Sequence, residues 1–392
     1  MPERIYFDNS ATTPIDPRVR QAMGPFFDSA FGNPSSLHQA GIEAREAIEQ
    51  PRQQVAGLLG SRPGKIVFTA SGTEADNMAL VGVVEKLGWQ GSHVITSAIE
   101  HAAILETCRY LQPRGVEVTY LPVTPDGLVD PNELRQALRP HTRLVSIMAA
   151  NNVVGTLQAI AELARIAREH GVPFHTDAAQ AAGKIPINVQ KQPIDLLSLS
   201  AHKLNGPKGV GALYVRSEVS IAPLVHGGGQ ERGLRSATEN VAGIVGFGCA
   251  AAIARDEMAL DAVRLVRLRD RLIDAVTARI PNAYLIGHRY RRLPGHVSLG
   301  LAGQEGEAIK LMLALDDAGI AVSTGSACSS NHSSEPSYIL LAMGFDTFRA
   351  RGLVRVTLGR FNSEDEVDRF VDVLTHAVLD LRPMTTYSTM QA

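Results

Sequence analysis

Between residues 60 and 215, short apolar runs alternate with longer stretches of helical period. Lys65–Thr69, His93–Thr96, Val116–Leu121, Leu144–Ala149, Pro173–Thr176, Leu196–Ser200 and Val210–Val215 are each bounded by polar or turn residues, and they predict strands. Glu74–Leu87, Ala102–Leu111 and Ile160–His170 lie between them and predict helices. Strands separated by helices of ten or more residues imply βαβ units and a mostly parallel sheet. Val210–Val215 follows Leu196–Ser200 closely enough to predict an antiparallel pair. Upstream, Ile5–Pro14 predicts a short strand running into a Thr/Pro turn. Ser36–Leu59 predicts a helix, with Ala44, Ala47, Ile48, Val55 and Leu58 on one face and a kink or break at Pro51.

The pattern changes near residue 257. Val241–Ala254 predicts a buried helix, and Leu260–Ile280 a separate charged amphipathic one. Then come an apolar strand at Val297–Leu299, a helix at Glu305–Ala318, a Ser/Gly loop at Ser323–Ser337, a strand at Leu353–Thr357 and a last helix at Glu364–Leu381. These predict a second, smaller α+β domain. The expected division is 15–257 for a large α/β domain, and 1–14 with 258–392 for the small one.

Composition narrows the class. The 392 residues are 45% hydrophobic and 20% charged, which excludes a disordered chain. With 38 basic and 40 acidic residues the net charge is −2, which disfavours a nucleic-acid-binding surface. No apolar segment of signal-peptide length follows Met1, and Val241–Ala254 is shorter than the ~20 residues of a membrane span. A cytoplasmic protein with no membrane partner is expected. Three cysteines, Cys108, Cys249 and Cys328, are too few for a disulfide framework or a zinc cluster.

Candidate chemistry sits where predicted strands end. Ser200-Ala201-His202-Lys203 precedes the turn Asn205-Gly206-Pro207. A lysine between a buried strand and such a turn can be desolvated, which frees its amine for a Schiff base, although a plain loop lysine has the same local sequence. Asp177 ends Phe174-His175-Thr176-Asp177 and can either hold a pyridinium nitrogen protonated or cap the next helix. Thr69-Ala70-Ser71-Gly72-Thr73 opens a helix and offers an anion site, or a simple cap, without a nucleotide P-loop signature. His101 and Asn151-Asn152 also follow strands. Cys328 lies in Ser326-Ala327-Cys328-Ser329-Ser330, a small polar setting suited to a mobile nucleophile, whereas Cys108 and Cys249 lie in apolar helical settings.

These segments together resemble the NifS/IscS cysteine desulfurases, in the class V aminotransferase group of pyridoxal-phosphate (PLP) enzymes. The resemblance runs from Phe7-Asp8-Asn9-Ser10 to Arg355-Val356-Thr357-Leu358-Gly359-Arg360. It is most specific at Ser200–Lys203 with Gly206–Gly209, at His226–Gly233, and at Ser326–Ser330 with Glu335-Pro336-Ser337. The Cys328 loop is similar to that of the IscS-type branch. The resemblance implies PLP fold type I, with a mostly parallel seven-stranded sheet in the large domain. It implies Lys203 as Schiff-base lysine, Asp177 at the pyridine nitrogen, Gln180 at the phenolic oxygen and His101 stacked on the ring. Gly72, Thr73, Ser200 and His202 would bind the phosphate, with Thr238 reaching it from the other subunit of a homodimer. Asn152 and Arg355 would face the substrate carboxylate. Cys328 would take sulfur from L-cysteine as a persulfide, release alanine and pass the sulfur to an acceptor protein such as an iron–sulfur scaffold. Selenocysteine cleavage or another class V reaction is the alternative, and a non-catalytic relative is a third. The chain departs from the family pattern at Val153-Val154, where Glu-x is usual, at Ala237, where Gly is usual, and at Gly72, where the glycine stands one place later.

Overall fold

The computed structural model describes residues 4–324 and 335–381. Twelve strands follow one another along these residues. They are β1 (Ile5–Tyr6), β2 (Ile66–Thr69), β3 (His93–Ser97), β4 (Glu117–Leu121), β5 (Thr142–Ser146) and β6 (Phe174–Asp177), then β7 (Leu196–Ser200), β8 (Gly211–Val215), β9 (Ala283–Leu285), β10 (His296–Leu301), β11 (Ile320–Ala321) and β12 (Val354–Thr357). Seven of them form the predicted central sheet, in the order β2-β8-β7-β6-β5-β3-β4. The run predicted at Leu144–Ala149 pairs two residues earlier, and Ile147–Ala150 instead form the turn entering the cleft described below.

Four of the pairings in this sheet are parallel, and β8 is antiparallel to both neighbours. Two antiparallel steps restore the original direction, so β2 runs the same way as β7. Register makes this concrete, because Thr69 and Ser200 both pair with Gly211. The C-terminal ends of β2, β3, β5, β6 and β7 therefore share one edge, where sites of parallel sheets are built. Gly211 has no Cβ because one would lie 2.5 Å from the Ser71 carbonyl carbon and 2.7 Å from the Leu199 oxygen.

The second half holds a smaller antiparallel sheet, β12-β10-β9, and a two-stranded parallel pair, β1 with β11. The amide of Thr357 donates to the Phe7 oxygen at 2.7 Å, which ties the N-terminal segment to this half. Its apolar cluster joins Phe7, Val297, Leu299, Val356 and Phe370, separate from the cluster around Phe68, Val145, Phe174 and Leu199.

The helices predicted at Val241–Ala254 and Leu260–Ile280 are one helix, Val241–Arg279, of 39 residues. Arg255, Asp256 and Glu257 are good or tolerable helix formers without a breaker, so local charge did not end it. Its first half packs Phe247, Ala250 and Ala254 into the large core, and its second packs Leu268, Leu272 and Val276 into the small one. Pro51 does not break the helix Gln39–Leu58. That residue lies against Gly248, where a Cβ would come within 2.4 Å of the Pro51 Cα. An alanine in a helix normally gains about 1 kcal/mol over glycine. Here Gly248→Ala is expected to destabilise by about 1–3 kcal/mol, because the two backbones must separate. Urea unfolding measures it, and a stabilised variant would show that the helices are not packed this closely.

Candidate active site

The shared sheet edge opens on a cleft of about 280 Å³. Its lining includes Ser71, Gly72 and Thr73 after β2, His101 after β3 and Met148 and Asn152 after β5. Asp177 and Gln180 follow at β6, Ser200, His202 and Lys203 at β7, and Arg355 comes from β12. Residues spread over more than 280 positions of sequence thus face one space. Thr238 does not line it. It is exposed and borders another pocket, with Phe68, Ala70, Gly209 and Arg235. Cys328 lies outside the described residues.

Lys203 follows β7 in a single 3₁₀ turn, Ala201–Lys203. Its Nζ donates to the backbone oxygens of Ser10 and of Ala11, the latter at 2.8 Å. The N-terminal segment that carries these carbonyls is anchored on the small sheet, so the lysine is held by both halves. His202 faces Thr12 Oγ1 at 3.1 Å through Nδ1, and burial first, then Lys203, Lys208 and Lys184, push its imidazole down to about 4. It is neutral at physiological pH and can donate one N–H to an anion.

The helix Gly72–Leu87 begins at the same edge. Ser71 caps it through Oγ, which accepts from the Glu74 amide at 3.0 Å. A Cβ at Gly72 would lie 3.2 Å from the Ser200 Cβ, so glycine at this place lets the helix start approach β7. Aligned N–H groups beside Ser200 and His202 make a phosphate-sized anion cradle.

Asp177 is 8% exposed, and Oδ1 accepts from the Ala179 amide at 2.9 Å. The two sequence alternatives are thus not exclusive, since the carboxylate caps the following turn and lines the cleft. His101 does the same, accepting from the Ala103 amide at 3.1 Å as helix cap. Beneath Asp177, His175 is clamped between Ser146 Oγ at 2.8 Å and Ser198 Oγ at 2.9 Å, and burial pushes it down to about 3.

Sequence reasoning missed two buried acids here. Asp76 lines the cleft, and burial and then Asp177 raise its carboxyl well above the usual range. An acid on the otherwise apolar face of Ala75, Met78 and Ala79 was the available signal. Glu100 is pushed up to about 8, chiefly by burial, and accepts from Ser97 Oγ at 2.6 Å and the Met148 amide at 3.0 Å. Burial thus disfavours the charged form of both acids that neighbour Asp177.

At the other wall, Arg355 is fully buried. It pairs with Asp8 Oδ1 at 2.7 Å through Nη2 and donates to the Asn152 oxygen at 3.0 Å through Nη1. Its Nε and Asn152 Oδ1 are buried without a partner. Such orphans cost ~1–3 kcal/mol each unless a ligand meets them. Val153 explains its departure from the family pattern. It is 2% exposed in an apolar cluster with Ile99, Ile339 and Leu353, where a carboxylate would be buried unpaired. Its backbone is fully paired: the amide donates to Asn151 Oδ1 at 2.8 Å, and the carbonyl accepts from Ser298 Oγ at 2.5 Å and His296 Nε2 at 2.9 Å.

The donor set fits pyridoxal phosphate: an amine for the carbonyl carbon, a carboxylate for the ring nitrogen, a helix start for the phosphate, and the unpartnered Arg355 Nε–H for a substrate carboxylate. Among the described residues, no cluster of His, Cys, Asp or Glu has the makings of a metal site, and no helix is long and apolar enough to cross a membrane. Cys108 is fully buried, and its thiol is pushed up to about 12 by burial, which makes it an inert core residue.

Ala237, before Thr238, has φ of 125°. This is backbone that side chains rarely adopt. Ala237→Gly is expected to raise the melting temperature by a few degrees, for about 1 kcal/mol of strain removed. A lowered melting temperature would count against strain at this position. In the apoprotein, the ring signals of His175 and His202 are expected to stay unshifted from pH 9 to pH 5, because their protonation is pushed below that window. NMR titration checks this, and a midpoint near 6.5 for either ring would contradict its burial.

The class-V aminotransferase family matches residues 5–370. A cysteine desulfurase IscS of Dictyoglomus turgidum is 48% identical over 387 residues, covering 99% of this chain and 98% of its own. A mitochondrial cysteine desulfurase of Arabidopsis thaliana is 48% identical over 97% of this chain and 84% of its own. Among solved structures, a NifS-like protein superposes with a TM-score of 0.90 at 41% identity, over 96% of this chain and all of that one. SspA in complex with cysteine superposes at 0.80 and 35%, over 92% of this chain and all of that one. With sheet, cleft and near full-length likeness in agreement, the chain belongs to the NifS/IscS cysteine desulfurases, in the class-V aminotransferase group of PLP-dependent enzymes.

Proposed function

We propose that this protein removes sulfur from L-cysteine, leaving L-alanine and a persulfide on Cys328. The single observation that carries the reading is the convergence of Lys203, Asp177 and His101, from three strand ends, and of Arg355, from within β12, on one cleft. Bound PLP, when present, supplies an electron sink that stabilises negative charge at the substrate Cα. The chain's own residues do the rest. Lys203 Nζ would hold the cofactor, and its free amine would take the Cα proton of the substrate. Asp177 keeps the ring nitrogen protonated, Gln180 meets the phenolic oxygen and His101 covers the ring face. Gly72, Thr73, Ser200 and His202 hold the phosphate. Arg355 and Asn152 orient the substrate carboxylate, since a guanidinium can bond both oxygens.

The thiolate of Cys328 attacks the substrate sulfur. The S–S bond forms as the C–S bond breaks, and the carbon skeleton keeps the electron pair and is protonated to alanine. His101 would pass the proton at this step through Nε2, since its Nδ1 accepts from the Ala103 amide. The persulfide sulfur then goes to an acceptor protein, of which an iron–sulfur scaffold is the first candidate.

We infer a homodimer in which Thr238 reaches the partner's phosphate site. Its exposure away from its own cleft supports this reading. We infer that residues 15–257 and residues 1–14 with 258–392 act as two domains about the cleft, and that the protein works in the cytoplasm.

Sulfide, alanine and the visible spectrum are measured in one tube on adding L-cysteine. Equal sulfide and alanine are expected, with a drop of roughly 10²-fold or more in Cys328→Ala and in Lys203→Ala. Arg355→Lys is expected to raise KM about tenfold with less change in kcat, for the loss of a charged hydrogen bond. Full sulfide release by Cys328→Ala would overturn the nucleophile. A protein that stays colourless with added PLP would overturn the enzyme.

A further inference from the structure

Lys184 has no part in the mechanism above, yet its amine lies inside the same network. It follows Gly183, whose φ is 72°, and a Cβ there would strike Leu204 Cδ2 at 2.6 Å and Ala254 Cβ at 2.9 Å. That tight turn carries the Lys184 side chain inward. It borders a small cavity of about 60 Å³ that adjoins the cleft and shares Ser10 and Lys203 with it.

Lys184 Nζ donates to Gln180 Oε1 at 3.3 Å. At the other end of the same amide, Gln180 Nε2 donates to the Ser10 oxygen at 2.9 Å. The Ser10 oxygen also accepts from Lys203 Nζ. An ammonium can only donate and a backbone carbonyl can only accept. The two neighbours therefore demand the same orientation of the Gln180 amide. Turned over, its NH₂ would face the ammonium and its oxygen would face the Ser10 carbonyl. In the demanded orientation, the amide nitrogen keeps one more N–H to offer.

We propose that Lys184 is a positioning residue, which fixes the Gln180 amide as a donor toward the phenolic oxygen of bound PLP and places positive charge beside Lys203. The proposal rests on the PLP-binding reading above. Other groups facing Lys184 do not supply this charge from the same place. Arg355 is committed to Asp8 at 2.7 Å, and Arg360 to Asp261 at 2.8 Å. His202 and His296 are held neutral by burial. Burial, with Lys203 and Arg355 adding to it, pushes the Lys184 amine down to about 7, so its charge responds to its surroundings near neutral pH. A phenolic oxygen bearing negative charge within reach of the amide favours the ammonium form.

The test is the pH dependence of the visible band of the holoenzyme in Lys184→Met and Lys184→Arg. Nearby positive charge and N–H donation to the phenolic oxygen both disfavour a proton on the Lys203–cofactor linkage. Removing them in Lys184→Met is expected to raise the midpoint of the band by about one pH unit. The variant is also expected to lower kcat about tenfold, with KM for cysteine within about twofold of the parent. Apoprotein titrated with PLP is expected to bind it several-fold more weakly. Lys184→Arg, which keeps donor and charge, is expected to return the midpoint to the parent value. A lysine that only fills space would give an unmoved midpoint in folded, cofactor-loaded Lys184→Met, and that result overturns the proposal. Should Lys184→Met fail to fold, Lys184→Gln removes the charge while keeping a donor. At least half of the shift is expected there, and no shift overturns the proposal equally. Sulfide release by the parent enzyme is measured alongside. Its absence would overturn the activity and this proposal together, whereas an unmoved midpoint in variants of an active enzyme overturns this proposal alone.

Discussion

The amine of Lys203 is held by two backbone carbonyls, those of Ser10 and Ala11, from a segment anchored on the other half of the molecule. Backbone carbonyls accept hydrogen bonds but do not carry full charge, so these two contacts orient the lysine without themselves neutralising it. A carboxylate in their place would favour the ammonium form and oppose the nucleophilic one. The contact also joins the large sheet to the segment that follows β1, which bridges to β12 of the small sheet through Asp8 and Thr357. Position and reactivity of the central amine thus depend on how the two halves meet.

Charge around the cleft follows from burial acting on groups of opposite kind. Buried acids Asp76 and Glu100 are driven toward their neutral form, and so are the buried imidazoles of His175 and His202. Asp177 stands at one wall, and Arg355 at the other, with its charge directed by Asp8. Lys184 and Lys203 lie between them, linked through Gln180 and Ser10. Opposed carboxylate and cationic groups in one cleft offer partners of both signs to a zwitterionic amino acid and an anionic cofactor.

Close backbone approaches build the frame. Gly211 lets β8 lie against the Ser71 turn, Gly72 lets a helix start against Ser200, and Gly248 lets the long helix lie on Pro51. The same long helix belongs to both cores, so motion between the halves would have to bend it or move small-half elements around it. Val153 shows the converse case, in which an apolar residue replaces a familiar acid because its side chain packs in an apolar cluster with Ile99, Ile339 and Leu353.

Local sequence determined a good deal. Period-two and period-3.6 patterning placed the central strands and most helices to within a few residues, because one face of each must be buried. The antiparallel return of β8 followed from a short connection. Polar residues just past apolar runs marked Gly72, Thr73, His101, Asn152, Asp177, Ser200, His202 and Lys203 as one set, since parallel strands end at a common edge. Tertiary structure alone decided what depends on distant partners. It fused two predicted helices into one, because nothing at Arg255–Glu257 breaks a helix that both cores bury. It showed Asp177 and His101 to be both caps and cleft residues. It brought Asp76, Asp8 and Lys184 to the site: Asp76 and Asp8 meet partners over a hundred residues away, and Lys184 joins Ser10 through Gln180. Sequence pattern records which face of an element is buried. It does not record which buried polar atom meets which, and the chemistry of this cleft is set by those meetings.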